Sequence, residues 1–300
     1  MKALYYSLIA LMGLTAVSCS NDTEEAKEDI LVGELRVSVD ESILPIFLEQ
    51  KEVFESSYYN AKINAKAEPE INAINSLLAG ETALAVLTRP LTVEENKGFT
   101  QRSITPRIYE IGYDAIVLVA NATSADTSVR INDIIDLLKG NKVQDYTLVF
   151  DNVNSSVLRY FRDLGKVAKI ANTYVETTNS AEAVLEQVAT NTNIVGLISM
   201  NQYLTLESSF SKMDKIRILS VLNDSLATPK YVKPSQASLA TKEYPLLRTI
   251  YVLNYQPKLG LGIGFSSFMT GDRGQRIVLK SGLLPATMPG REIIIRDGFN

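Results

Sequence analysis

The segment from Thr147 to Phe161 constrains the fold of this chain more than any other. It opens on Thr147-Leu148-Val149-Phe150, a β-branched and aromatic run that reads as a buried strand. A polar cluster follows from Asp151 to Ser156, and Val157, Leu158, Tyr160 and Phe161 then begin an amphipathic helix. A strand that passes through a tight polar turn into a helix leaves the first helical N–H groups unpaired, pointing back over the strand end. Such a turn can cap its own helix, hold a catalytic group or bind an anion. The segment alone leaves all three open.

Composition narrows the chemistry. The chain has no histidine and one cysteine, so Ser-His-Asp and Cys-His catalysis, His-ligated metals and disulfides are all out of reach. A net charge of −4 without Lys/Arg blocks argues against nucleic acid as a partner. The single cysteine follows a basic start at Lys2, an apolar run from Ala3 to Leu14 and the small residues Ala16-Val17-Ser18. That run is too short for a membrane span of ~20 apolar residues. Ser20 to Asp29 is polar and acidic, with nothing to bury, and reads as a flexible tether.

From Gly33 onward, strand and helix patterns alternate. Strands are expected at 34–39, 61–67, 82–87, 115–120, 147–150, 173–177, 193–199, 216–221 and 248–253. Helices are expected at 44–54, 70–78, from Thr92, at 131–138, from Val157, at 180–188 and over 265–280. Gly80 and Gly140 are placed to end two of the helices. The class is therefore α/β with mostly parallel sheets. Ligands of such sheets bind outside the carboxyl ends of the strands, where Asp40 to Ser42, Thr88-Arg89 and Asp151 to Ser156 all fall.

Three enzyme-like patterns fail on inspection. Leu148 to Asp151 is similar to the nucleophile strand of haloacid dehalogenases, but Val153 stands where the second acid is needed. Gly260-Leu261-Gly262-Ile263-Gly264 lacks the spacing of a dinucleotide loop and opens no βαβ unit, so tight turning and close backbone packing account for it. Nothing in their spacing makes Ser266, Ser267 and Lys280 a Ser-Lys dyad. No catalytic residue, cofactor or metal is expected.

One ordered set of motifs carries a family resemblance. It comprises Tyr244-Pro245-Leu246-Leu247-Arg248-Thr249-Ile250-Tyr251, Gly260 to Gly262, Gly264-Phe265-Ser266-Ser267-Phe268, Asp272-Arg273-Gly274-Gln275 and Gly282-Leu283-Leu284-Pro285-Ala286. With Thr88 to Thr92 and Tyr113-Asp114-Ala115-Ile116, the chain resembles PstS-type phosphate-binding proteins, the substrate-binding components of ABC phosphate importers. Ala16 to Cys19 likewise resembles a bacterial lipobox, with Ala16 where Leu is usual. That implies a signal peptide over 1–18, lipid on Cys19 and an acidic tether over 19–32.

The family resemblance implies a bilobal periplasmic-binding-protein fold: two mostly parallel sheets flanked by helices and joined by crossing hinge strands. Lobe 1 would span 33–114 and 225–300, and lobe 2 would span 115–224. Inorganic phosphate would lie between them, held by Ser42, Thr88, Arg89, Asp114, Asn154, Ser155 and Ser156. The partners implied are an ABC permease of the phosphate-import type and, through the lipid, a bacterial membrane, with the protein a monomer outside the cytoplasm. A binding or sensing lipoprotein for another anion or a protein partner is the alternative. The chain departs from the family at its second loop, typically Gly-Ser-Gly-Thr-Arg with an Arg shortly before it. Here the run is Asn154-Ser155-Ser156-Val157-Leu158, and Asp151 stands in place of that Arg. Arg89 would then be the main positive group, with Arg159 as a helper.

Overall fold

The computed structural model describes residues 29–290. The expected signal peptide, Cys19 and most of the expected tether lie outside the described residues.

The first half of the fold follows the expected alternation. β1 (Gly33–Asp40) leads through a 3-10 turn, Glu41–Ile43, into α1 (Leu44–Ser57). β2 (Ala61–Glu68), α2 (Glu70–Leu78), β3 (Leu84–Leu87) and α3 (Val93–Gln101) follow. α3 starts where its acids predict, with Thr92 and Glu95 closing a capping box. Gly80, at φ +77°, takes the left-handed conformation that ends α2.

β4 (Arg107–Asn121) is one continuous strand of 15 residues, where the sequence predicts only the shorter strand 115–120. Its first half is partly exposed and its second half is wholly buried, so no single period marks it. β5 (Ser128–Val129), α4 (Ile131–Leu138), β6 (Thr147–Phe150), α5 (Ser156–Leu164), β7 (Val175–Thr177), α6 (Ala181–Thr190) and β8 (Ile194–Ser199) come next. α7 (Met200–Glu207) escapes the sequence reading. Ser199 caps it directly at the strand end, and few of its residues are buried.

The expected strand 216–221 is two strands in different sheets, β9 (Ile216–Ile218) and β10 (Ser220–Asn223), followed by β11 (Lys230–Val232) and α8 (Gln236–Ala240). β12 (Leu247–Asn254) returns through the centre. The terminal helix divides at Gly271 into α9 (Leu261–Thr270) and α10 (Asp272–Lys280), and β13 (Leu284–Pro285) closes the described chain.

The main sheet runs β2-β1-β3-β12-β4-β8-β6-β7, with β9 and β13 also on β4, and β11-β10-β5 form a small second sheet. Pairing is parallel toward both ends, β2-β1-β3 and β8-β6-β7, and antiparallel in the middle, where β12 and β4 cross. β4 changes partner along its length. Residues up to Ala115 pair with β12, and Ile116 to Ala120 pair with β8. Asp114 therefore sits at the junction of the two halves.

Several residues of the quoted family motifs are structural. The Gln275 amide donates to the carbonyls of Ile111 (2.9 Å) and Met269 (2.8 Å) and accepts from Thr287 N. A Cβ on Gly274 would lie 2.3 Å from the Phe268 carbonyl oxygen, so α9 and α10 meet only through a glycine there. Tyr244 is buried and donates its hydroxyl to the Ile116 carbonyl at 2.6 Å, tying the entry of β12 to the junction in β4. Tyr244→Phe is expected to lower stability by about 1 kcal/mol, the net value of one buried hydrogen bond, as read by urea unfolding.

Candidate functional site

The strands of each parallel region end toward the same place, so their following turns collect at one buried junction. After β1 come Asp40, Glu41 and Ser42; after β3, Thr88; after β6, Asp151 to Ser155 and the first residue of α5, Ser156; after β8, Ser199 to Asn201. The crossing strands add Asp114 from β4 and Arg248 from β12, which face each other in register.

The centre is a buried knot of hydroxyls around one guanidinium. The Ser42 and Ser156 hydroxyls are 3.0 Å apart. Arg248 donates to Ser156 Oγ at 2.8 Å and to Ser42 Oγ at 3.2 Å. Its Nη2 also pairs with Asp114 Oδ2. The other oxygen of Asp114 accepts from Asn201 N at 3.0 Å, and the Asn201 side chain accepts from Ile46 N. Ser199 donates its hydroxyl to the Ser42 carbonyl. Ser42 lies on the β1 side, Ser156 and Ser199 lie on the β6–β8 side, and Arg248 lies between.

A second network lies beside the first. Glu70, fully buried at the start of α2, accepts from the Thr88 hydroxyl at 2.8 Å. Arg159 reaches across from α5, placing Nε on Glu70 Oε2 and Nη2 on Glu70 Oε1 (3.3 Å) and Thr88 Oγ1 (3.1 Å). The Ile71 amide also meets the Asn154 carbonyl at 3.5 Å. The two walls are thus joined by the chain's own groups.

Acidity is concentrated here. Burial pushes the Asp40 carboxyl up to about 6, helped by the charge of Glu70 and opposed by Arg248. Burial and then the charges of Asp151 and Asp40 push Glu41 up to about 7. Burial raises Asp151 to about 6 against the Ser155 hydroxyl and the pull of Arg248, and raises Asp114 although Arg248 is bonded to it. Among the described residues no hydrogen bond of good geometry reaches either carboxylate oxygen of Asp151 or Asp40 Oδ2, although the Ser155 and Ser156 hydroxyls lie near enough to hold these two carboxyls down in part. Buried acceptors in that state call for a donor.

The seven residues expected at the site fall into four groups. Ser42, Asp114 and Ser156 meet around Arg248. Thr88 lies with Glu70 and Arg159. Arg89, expected as the main positive group, makes a bidentate pair with Glu95 at 2.7 and 2.9 Å, which lowers the Glu95 carboxyl to about 2; its Nε stays 3.7 Å from Glu70. Ser155 caps α5 through Leu158 N, and Asn154 contributes its carbonyl to the contact with Ile71. The segment from Thr147 to Phe161 is strand, turn and helix as expected, with Ser155 in the capping role and Ser156 facing the cleft.

Arg248 and Glu70 escape the sequence reading. Arg248 carries a signal nonetheless: a charged residue within Leu246-Leu247-Arg248-Thr249-Ile250 must be paired if the strand is buried, and Asp114 enters an apolar strand in the same way. Glu70 reads as an ordinary acid in a first helical turn.

Comparison with known proteins supports the fold. A family model, described as a PBP superfamily domain, matches residues 24–273. No curated protein sequence matches. Among solved structures the chain is similar to a Clostridium perfringens substrate-binding protein assigned to phosphate ABC transport and solved with bound phosphate, with TM-score 0.69, 18% identity and coverage of 85% of this chain and 100% of that one. An ABC-type phosphate transport receptor from Vibrio cholerae gives TM-score 0.65 at 17% identity, covering 84% and 100%. The sulfate-bound regulatory domain of OxyR2 from Vibrio vulnificus gives 0.55 at 11% identity, covering 85% and 99%. The expected likeness to phosphate-binding proteins is therefore met in the architecture, which regulators share as well. With its crossing strands, its polar turns gathered at the carboxyl ends of the sheet and a family model over most of its length, the chain belongs to the PBP superfamily.

Proposed function

We propose that this protein captures inorganic phosphate between two lobes, 33–114 with 225–300 and 115–224, and delivers it to an ABC permease outside the cytoplasm. In this reading it is a binding protein rather than an enzyme, a monomer tethered to a bacterial membrane by lipid on Cys19. The observation that carries the proposal is the meeting of Ser42, Ser156 and Arg248 at one buried point, drawn from both walls and the crossing strand. Hydroxyls and a guanidinium are what an oxyanion accepts from. The unpartnered oxygens of Asp40 and Asp151 supply what only a protonated oxyanion can use. Phosphate near neutral pH still carries a proton to donate and sulfate carries none, so sulfate would leave these carboxylates unpaired beside a dianion.

Isothermal titration of the purified protein is expected to give a phosphate dissociation constant of about 1 μM or tighter, roughly 8 kcal/mol of binding free energy. Arsenate, which also carries a proton, is expected to compete, and sulfate to give no heat. Absence of phosphate heat, or equal binding of sulfate, overturns the proposal.

A second reading rests on charge. Seven carboxylates, Asp40, Glu41, Glu70, Glu95, Asp114, Asp151 and Asp163, lie on or around three guanidinium groups, Arg89, Arg159 and Arg248. That balance favours a ligand less negative than a phosphate dianion, so the alternative is another anion or a protein partner on the same fold. A melting-temperature screen over anions separates the two: the larger shift with a ligand other than phosphate favours the second.

A further inference from the structure

Glu70 is fully buried at the first position of a nine-residue helix, and its N-cap, Pro69, offers no capping side chain. The dipole of that helix end favours negative charge, although its first amides are already bonded, Ile71 N to the Asn154 carbonyl and Asn72 N and Ala73 N to that of Pro69. The Glu70 carboxylate sits there with the Thr88 hydroxyl on Oε1, the Arg159 guanidinium across both oxygens and Arg89 Nε at 3.7 Å. A helix N-terminus, a hydroxyl and two guanidinium groups converging from both walls make up an oxyanion seat, and its occupant is a residue of the chain.

We infer that Glu70 is an internal anion that competes with the ligand for the cleft and so sets both its affinity and its tolerance for charge. The inference rests on the reading of the cleft as an anion site. Thr88 and Arg89, both expected to bind the ligand, are engaged by Glu70 or by Glu95, and Arg159 is engaged by Glu70. A tethered competitor acts at an effective concentration in the millimolar range or above, so free anion must exceed it or find the carboxylate displaced. Glu70 also raises the cost of a second negative charge nearby, as it already does for Asp40. A dianion is penalised most and a singly charged, protonated oxyanion least.

The test is phosphate titration of the purified protein, of Glu70→Gln and of Glu70→Ser, with melting curves to establish that each variant is folded. Glu70→Gln keeps one acceptor, the oxygen that Thr88 and Arg159 Nη2 share, while removing the charge and the second oxygen that Arg159 Nε uses. It is expected to lower the phosphate dissociation constant by about tenfold or more, a loss of like-charge repulsion plus a looser hold on Arg159. Tighter binding in the variants supports the inference even if the unaltered protein binds no phosphate, in which case phosphate is not its natural ligand. If the unaltered protein binds phosphate and both folded variants bind it no better, Glu70 is a structural acid only and the inference falls while the phosphate reading stands. If none of the three binds phosphate, both fall. Should Glu70→Gln and Glu70→Ser not fold, Glu70→Asp, which keeps the charge but withdraws it by one methylene, is expected to tighten binding several-fold, and unchanged affinity there overturns the inference.

Discussion

Replacing Arg248 by methionine is expected to lower the stability of the protein at pH 7.5 by about 3–5 kcal/mol, the usual cost of leaving a buried partner charge uncompensated. The melting temperature would fall by on the order of 10 °C for a chain of this size. Asp114 has no exposed surface and loses its guanidinium in the variant, while Asp40 loses the positive charge that now holds its carboxyl down. Both carboxyls then respond by taking up protons, so the deficit is expected to shrink as the pH is lowered toward 5. Combining the change with Asp114→Asn tests the pairing directly. The double variant is expected to be more stable than Arg248→Met alone, with a coupling of about 1–3 kcal/mol in the cycle. Phosphate affinity would fall at least a hundredfold in both, because two hydroxyls without a cation do not hold an oxyanion in a cleft rich in carboxylates. Retained affinity in a folded Arg248→Met protein would move the anion seat elsewhere.

What could be read from the sequence was local. The run from Thr147 to Phe150 and the cap at Ser155 follow from residues within a few positions of one another, as does the capping box of Thr92 and Glu95. The glycine-rich run is another such case. It serves close packing, since a Cβ on Gly264 would lie 1.8 Å from the Ile30 carbonyl oxygen and one on Gly262 would lie 2.3 Å from Gln256 Oε1. Long-range pairing was hidden. Arg248 and Asp114 are 134 positions apart, and Arg159 and Glu70 are 89 apart. Charge type alone does not reveal which acid meets which base. Arg89 shows the converse: its place at a strand end suggests a ligand contact, yet Glu95, six residues on, offers a bidentate carboxylate that needs no ligand. α7 was missed because Ser199 is at once a strand end and a helix cap.

Asp151→Asn is expected to stabilise the protein, and to do so only above a threshold of pH. Asp151 is 1% exposed, and among the described residues no hydrogen bond of good geometry reaches its carboxylate oxygens, with only the nearby Ser155 hydroxyl and the charge of Arg248 offsetting part of the burial. Burial raises its carboxyl from the ordinary 3.8 to about 6. Between about pH 4 and pH 6 the folded protein therefore holds a proton that the unfolded chain has released, and stability falls as the pH rises through that window. Above it the full penalty applies, about 3 kcal/mol for a shift of this size. An asparagine of the same shape carries no charge to desolvate, so at pH 8 the variant is expected to gain about 1–3 kcal/mol, less the cost of an unpaired amide. At pH 4 the two proteins should melt alike. Glu41 and Asp40 titrate in the same region and Arg248 opposes them, so the measured quantity is the difference between variant and parent across pH rather than either curve alone. An acid kept at a cost to stability is retained for something other than folding. In the phosphate reading its use is to accept the ligand's proton, and the same variant that melts higher should then discriminate less between phosphate and sulfate. A variant that gains stability and keeps its full selectivity would assign that role to Asp40 or Asp114 instead.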